Sequence, residues 1–414
     1  MSASQRQGKE NLSLWTLCLC GEKEKTQFMT KLIETIDLVT NFYTYEGVVK
    51  ALNKVSLTMD HGTTFGLVGE SGCGKSVAVR SMMRIIQEPG KVEGGRILFY
   101  PNAADDSHSI DLLQQSESYM RSLRGDGISM IFQEPGAALN PIMSIGDQVS
   151  ESFLFHRKKD MCNKISDDLK AADCRTVYPL KKALQVLYRI AGQNPDAWML
   201  KVIRWVPILK KWDRRLRREA LKRSIEIIEK LGIADAAEIV KQYPHNLSGG
   251  MKQRIVIAMA LACNPILLIA DEATSNLDVT IQAQILGLLK QLKKEEISSV
   301  LLITHDLGIV AETCDRVGVM YAGNLCEVAD IKDLFRSPKH PYTQALLNAV
   351  PRLAQEGALQ SIEGSVPNLV TPPSGCRFHP RCSHAMDVCR EKFPEMIEIG
   401  KNHLVACYWA ASQK

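Results

Sequence analysis

The stretch "TFGLVGESGCGKS" constrains the chain more than any other. Its apolar start, Thr64 to Val68, has the character of a short buried strand and runs directly into Gly69-Glu70-Ser71-Gly72-Cys73-Gly74-Lys75-Ser76. The spacing predicts a helix over "SVAVRSMMRIIQE", stopped by Pro89-Gly90. A strand, a glycine loop and a helix in this order make the first half of a strand–helix–strand unit, so the prediction is an α/β fold with a parallel sheet. The three glycines let backbone N–H groups turn inward around phosphate oxygens, Lys75 adds a positive charge there, and the Ser76 hydroxyl can hold Mg²⁺. Gly69, Ser71, Gly72, Cys73, Gly74, Lys75, Ser76 and Val77 are therefore the expected nucleotide contacts.

A second apolar run, "ILLIADEATSNLD", ends in Asp271-Glu272. Two adjacent acids beside a triphosphate are unfavourable unless a metal or a reacting water lies between them. Asp271 is expected to hold magnesium through water, and Glu272 to orient the attacking water. The stretch "LSGGMKQR" starts a further helix, "MKQRIVIAMALAC", at Ser248-Gly249-Gly250. Its free N–H groups and positive dipole end suit another phosphate. Two phosphate-binding helix starts so far apart suggest that each serves a different nucleotide, across an interface between two subunits.

Together these motifs resemble the ATP-binding subunit of ABC transporters, over about residues 33 to 414 apart from one insertion. The resemblance implies a RecA-like P-loop core, an antiparallel β subdomain and a helical subdomain. It assigns a magnesium or water contact to Gln133 in "MIFQEP", the D-loop acid to Asp278 in "SNLD", and the switch role to His305 in "LLITHD". An aromatic that stacks on adenine is expected ahead of the loop; of Phe42, Tyr43 and Tyr45, Phe42 is assigned. In this family two ATPase subunits close head to tail, each ATP lying between the Walker motifs of one and the Ser248–Gly250 signature of the other.

The stretches "ALNPIMSIGDQV", "DVTIQAQIL" and "SPKHPYTQALL" are similar to the di- and oligopeptide importer branch, which includes nickel importers. This implies a second ATPase subunit, a different chain as is usual in the branch, two membrane permeases and an external binding protein. It also implies a peripheral position on the cytoplasmic face of the membrane. Import of nickel or another small solute is the alternative cargo. The competing class is a soluble ABC-type ATPase acting on nucleic acid, against which stands the single Walker A and single signature. Ala273, where proline is usual, and Asn276, where alanine is common, depart from the pattern without removing a catalytic group.

The 414-residue chain carries a net charge of +5. Between Arg157 and Arg218 there are 17 Lys/Arg against 6 Asp/Glu, which leaves the rest of the chain acidic. This segment reads as a helical insertion of about sixty residues. Asn194-Pro195-Asp196 offers a helix start, and Trp198, Trp205 and Trp212 fall seven apart. An extra helical hairpin with solvated charges is expected, with contact to anionic lipid or the permease as the sharper alternative. No run approaches the roughly eighteen consecutive apolar residues of a membrane span.

The domain reading is an N-terminal extension over 1–30, an ATPase domain over 31–335 containing the 157–218 insertion, and a C-terminal extension over 336–414. "LSLWTLCLC" in the first segment has a trace of a signal-peptide core, but charged "GEKEK" follows at once and the phosphate loop needs cytosolic ATP. The extension carries Cys376, Cys382, Cys389 and Cys407, spaced unlike any zinc finger. Twelve scattered cysteines, one in the phosphate loop, point to a reducing compartment and demote disulfides. Zinc and metal-free packing stay open on spacing alone; the resemblance implies a 4Fe-4S cluster on these four residues.

Overall fold

Strand β3 (Thr64–Val68) falls where the apolar run ahead of the glycine loop predicted it, with all five residues buried. The computed structural model describes residues 30–103, 108–171, 178–193, 210–273, 279–295, 299–349 and 362–413. The expectations for residues 1–29, for Asn194-Pro195-Asp196, Trp198 and Trp205, for the Trp212 side chain, and for Asn276 and Asp278 lie outside them.

Among the described residues two sheets form. The first is antiparallel, ordered β2-β1-β4-β5, with β1 Lys31–Thr44, β2 Gly47–Asp60, β4 Gly90–Phe99 and β5 Ile110–Asp111. The second is ordered β11-β12-β10-β9-β3-β8-β7-β6. Its members are β6 Ile128–Ile131, β7 Leu267–Asp271, β8 Ser299–Ile303, β9 Arg316–Tyr321, β10 Asn324–Asp330, β11 Ile397–Gly400 and β12 His403–Val405. From β6 to β9 the neighbours run parallel; β10, β12 and β11 continue antiparallel.

A parallel sheet covered on both faces needs continuous apolar strands rather than alternating ones. On β7, Leu267 and Ile269 face one core, shared with Leu38, Leu52 and Met59 of the antiparallel sheet. Leu268 and Ala270 face the other, shared with Val149, Ile255 and Tyr342 of the helices. The antiparallel and helical layers thus lie on opposite faces of the central sheet.

The helix after the glycine loop is shorter than predicted, ending at Met82 rather than near Glu88. Arg84 takes a left-handed conformation (φ 51°). Arg124 then caps the last turn, donating from Nε to Met83 O at 2.9 Å and from Nη2 to Arg84 O at 3.1 Å. The basic segment contributes helices Lys158–Ala171 and Tyr178–Gln193 and the first part of Lys210–Lys230. Met161, Ile165, Tyr188 and Leu216 are buried in the helix-side core, which gives these helices their inner faces. Lys164 and Arg223 both reach Glu219, at 2.6 and 3.3 Å, tying the first helix to the third. No described helix is long and apolar enough to cross a membrane.

The last strands are part of the central sheet rather than a separate body. Leu404 and Val405 of β12 pair with Val328 and Glu327 of β10.

Candidate active site

Register brings the site together. Leu67 on β3 and Asp271 on β7 both pair with Ile303 on β8, and Ala270 pairs with Ile131 on β6. Gly69, Glu272, His305 and Gln133 each follow one or two residues past these partners, so four loops meet at the carboxyl edge of the parallel strands. That edge is where open α/β sheets bind ligands.

The loop needs its glycines for space as well as for φ. A Cβ at Gly69 (φ +150°) would lie 2.1 Å from Met320 O, and one at Gly74 (φ +102°) would lie 2.8 Å from Ala51 O. Lys75, only 4 % exposed, lies inside the loop, its Nζ donating to Gly69 O at 2.8 Å and to Glu70 O at 3.0 Å. Cys73 Sγ lies 3.6 Å from the same amine, and burial pushes that thiol's pKa up. Ser71 and Gly72 face solvent.

Ser76 Oγ donates to Asp271 Oδ1 at 2.8 Å. Asp271 is 1 % exposed and its Oδ2 is buried without a hydrogen-bond partner, the nearest cation being Arg80 Nη2 at 3.9 Å. Burial raises this carboxyl's pKa. A buried carboxylate oxygen left unsatisfied beside a hydroxyl is the donor set a hard, oxygen-seeking cation requires, so these residues fit Mg²⁺. Arg80 was not singled out from the sequence, although it lies four residues after Ser76 on the same helix, where both share a face.

Glu272 adopts a left-handed backbone (φ 47°), secured by its N–H donating to Ile303 O at 3.0 Å. A non-glycine residue is strained there, and such strain collects at functional sites. Its carboxylate accepts from Gln133 Nε2 at 2.7 Å and lies 3.5 Å from His305 Nδ1. Gln133, expected as a magnesium or water contact, and His305, expected in the switch role, thus both lie against Glu272. Ser248, Gly249 and Gly250 start the helix Gly249–Leu261, with Ser248 Oγ accepting from Met251 N at 3.4 Å. Ser248 and Gly249 are exposed, so this helix start is open to a second molecule. Gln253 on the same helix ties it to the loop that follows Glu272, donating from Nε2 to Ala273 O at 2.6 Å.

The three aromatics at the β1–β2 hairpin differ. The Phe42 ring lies over Gly90, where an added Cβ would meet it at 2.5 Å; the Tyr43 hydroxyl donates to Glu93; Tyr45, at the turn, is 98 % exposed.

Cys376, Cys382, Cys389 and Cys407 are free thiols that line one small cavity of about 10 Å³ with His340, Phe378 and His384. Trp409 stacks on His384 at 4.1 Å beside it. Burial, with the neighbouring thiols adding, pushes Cys376 up to about 12. Among the described residues no group of three or more His, Cys, Asp or Glu is placed to hold a metal ion.

A glycine loop, an unsatisfied buried aspartate and a strained glutamate flanked by glutamine and histidine, all at adjacent parallel strand ends, define a phosphate-loop ATPase. The chain belongs to the ABC transporter family, whose model matches residues 52–275. A second model, described as "Oligopeptide/dipeptide transporter, C-terminal region", matches residues 326–389. The chain is 42% identical to the "Dipeptide transport ATP-binding protein DppD" of Bacillus subtilis (strain 168) over 388 residues, 93% of this chain and 96% of that one. It is 40% identical to the "Oligopeptide transport ATP-binding protein OppD" of the same organism, covering 91% of this chain and 88% of the relative. Among solved structures, the "Dimeric Structure of MJ0796, a Bacterial ABC Transporter Cassette" aligns with a TM-score of 0.51 at 21% identity, over 72% of this chain and 99% of that one, which establishes the shared fold.

Proposed function

We propose that this chain is the ATP-hydrolysing subunit of an importer for dipeptides or oligopeptides. The observation that carries the reading is the contact of Gln133 and His305 with Glu272 beside the Ser76–Asp271 pair, in a chain whose close relatives are named for peptide transport. In this reading residues 31–335 form the ATPase domain, 157–218 its insertion and 336–414 the C-terminal extension.

The loop N–H groups and Lys75 bind the β- and γ-phosphates, and the amine exchanges its two carbonyl partners for phosphate oxygens. Ser76 and Asp271 would hold Mg²⁺, which would neutralise charge on those oxygens. Glu272 accepts a hydrogen bond from the attacking water and aims it at the γ-phosphorus, while His305 and Gln133 hold the Glu272 carboxylate and the water in line. Tyr45, whose ring is free on both faces, suits adenine stacking better than Phe42, whose ring covers Gly90. The exposed Ser248–Gly250 helix start, together with Asp278, serves the ATP of a second ATPase subunit. The partners are that subunit, two permeases and, indirectly, an external binding protein, which places the chain on the inner membrane surface.

Replacing Glu272 with Gln should lower kcat by about 100-fold or more while ATP stays bound; brisk turnover by Glu272→Gln overturns the assignment. Co-purification with two permeases, and peptide uptake that depends on this chain, separates the importer from a nucleic-acid ATPase. Nickel uptake in place of peptide would redirect the cargo.

The four thiols around one cavity support a 4Fe-4S cluster. A single zinc would draw all four sulfurs to about 2.3 Å from one point, whereas a cluster spreads them over its corners. An anaerobic preparation should contain iron and acid-labile sulfide in equal amounts; stoichiometric zinc without sulfide overturns this.

A further inference from the structure

Glu70, the second residue of the phosphate loop, has no role in the chemistry above, yet it is held more firmly than its neighbours. Its carboxylate meets Arg381 at two points, Nη1 to Oε2 at 2.9 Å and Nη2 to Oε1 at 3.3 Å. Its N–H donates to the Tyr342 hydroxyl at 2.9 Å, and its carbonyl accepts from Lys75. Two residues from the last quarter of the chain therefore grip the loop that must cradle the triphosphate.

Arg381 is itself fully engaged. Nε donates to Glu363 O at 2.8 Å, Nη2 to Ile362 O at 3.2 Å and Nη1 to the Tyr321 hydroxyl at 3.2 Å, with the guanidinium carbon 5.7 Å from the Tyr321 ring centre. Its side chain is 7 % exposed and that of Glu70 22 %, so solvent screens the pair only in part. A planar fork on a carboxylate fixes orientation as well as charge, which a lone ammonium would not.

Arg381 lies between two residues that line the thiol cavity, His379 and Cys382. It ends the turn His379–Arg381, in which His379 N donates to Cys376 O at 3.0 Å and Cys382 N donates to His379 O at 3.3 Å. Phe378, one step earlier, lines the cavity and packs on Tyr342 with ring centres 5.3 Å apart. Two routes thus lead from the cysteines to Glu70: the Arg381 turn to its carboxylate, and Phe378–Tyr342 to its N–H.

We propose that Arg381 is a positioning residue for the phosphate loop and that, through it, the state of the four-cysteine cavity and nucleotide affinity are coupled. The guanidinium neutralises the one acid in the loop and sets the loop's curvature; when the cavity wall shifts, Glu70 is released beside the phosphates. Coupling between sites is reciprocal, so nucleotide must in turn steady the cysteines.

The proposal rests on the ATPase reading, and the test separates the two. Binding of MgADP to the purified full-length chain is titrated for the unsubstituted chain, Arg381→Gln, Glu70→Gln, the double variant and Arg381→Lys. Each single glutamine substitution should weaken MgADP about 5- to 20-fold, within the usual range of site-to-site coupling. The double variant should be no weaker than the worse single one, and Arg381→Lys should recover part of the loss. Saturating MgADP should slow the chelator-driven release of any metal bound by Cys376, Cys382, Cys389 and Cys407, and the alkylation of these thiols once metal-free, in the unsubstituted chain and not in Glu70→Gln. Additive losses, or unchanged MgADP affinity with only a lower melting temperature, would reduce the pair to a fastening of the tail and overturn the proposal. Should Arg381→Gln fail to fold, Glu70→Gln carries the same comparison from the loop side. No MgADP binding by the unsubstituted chain would instead sink the ATPase reading.

Discussion

Asp271, at the carboxyl end of β7, and Glu327, in β10, are both almost wholly buried carboxylates on the same sheet. They are treated in opposite ways. Asp271 has one oxygen on Ser76 and the other without a hydrogen-bond partner, and burial raises its pKa. Glu327 accepts from His403 Nε2 at 2.7 Å and from the N–H groups of Lys339 and His340 at 2.7 and 2.9 Å. Burial alone would raise the Glu327 pKa too, but these donors outweigh it and the pKa is lowered. An acid left incompletely satisfied awaits a ligand; an acid saturated by protein donors is an anchor. The first lies among the candidate site residues, and the second fastens the segment His340–Tyr342 and strand β12 to the sheet.

Breaking the anchor should have the largest effect on stability. Glu327→Leu strands the donors of Lys339, His340 and His403, so denaturant unfolding should show a loss of about 3–5 kcal/mol. A loss below about 1 kcal/mol would mean that the anchor is ornamental.

Acid should loosen the same corner. His340 is buried, its Nδ1 accepts from Tyr342 N, and burial pushes its pKa down to about 4 although the Glu327 carboxylate pulls the other way. The unfolded chain, near 6.5, binds the proton first, so stability falls as pH drops from about 6.5 toward 4. By pH 5 the loss from this residue should be about 2 kcal/mol. Denaturation at pH 7 and pH 5 checks it, and His340→Asn should flatten the difference.

The smallest effect carries the opposite sign. Ionised Asp271 costs the fold stability, so Asp271→Asn should raise the melting temperature of the ligand-free chain by about 2 °C. The same change should abolish the stabilisation that MgATP gives. A lower melting temperature for Asp271→Asn would show that Arg80 already satisfies the charge.

Part of the candidate site was legible because several of its residues sit within short motifs whose spacing is set by local backbone needs. The loop 69–76, Asp271-Glu272 and the helix start at Ser248 were readable without knowing their neighbours. Gln133 and His305 needed the family resemblance, since a lone glutamine or histidine at a strand end carries no local pattern. The link from Arg381 to Glu70 joins residues 311 positions apart through charge and shape alone, and no periodicity reports such a pair. Sequence favours Phe42 for adenine but cannot show that its ring lies over Gly90 while Tyr45 is exposed at the turn. The helix to Glu88 was over-extended for a related reason: the arginine that caps it, Arg124, comes from a distant segment.

The pairing of β12 with β10 has one more consequence. Without residues beyond 336, β10 would present an open row of backbone donors and acceptors flanked by buried Leu325 and Val328. Such an edge invites strands from other molecules. In place of that edge stands β11, four residues long and alternating between half-buried and exposed positions. A chain cut after the ATPase motifs would therefore keep every candidate catalytic side chain and still tend to clump, its tail having served as the selvedge that stops the sheet from unravelling into its neighbours.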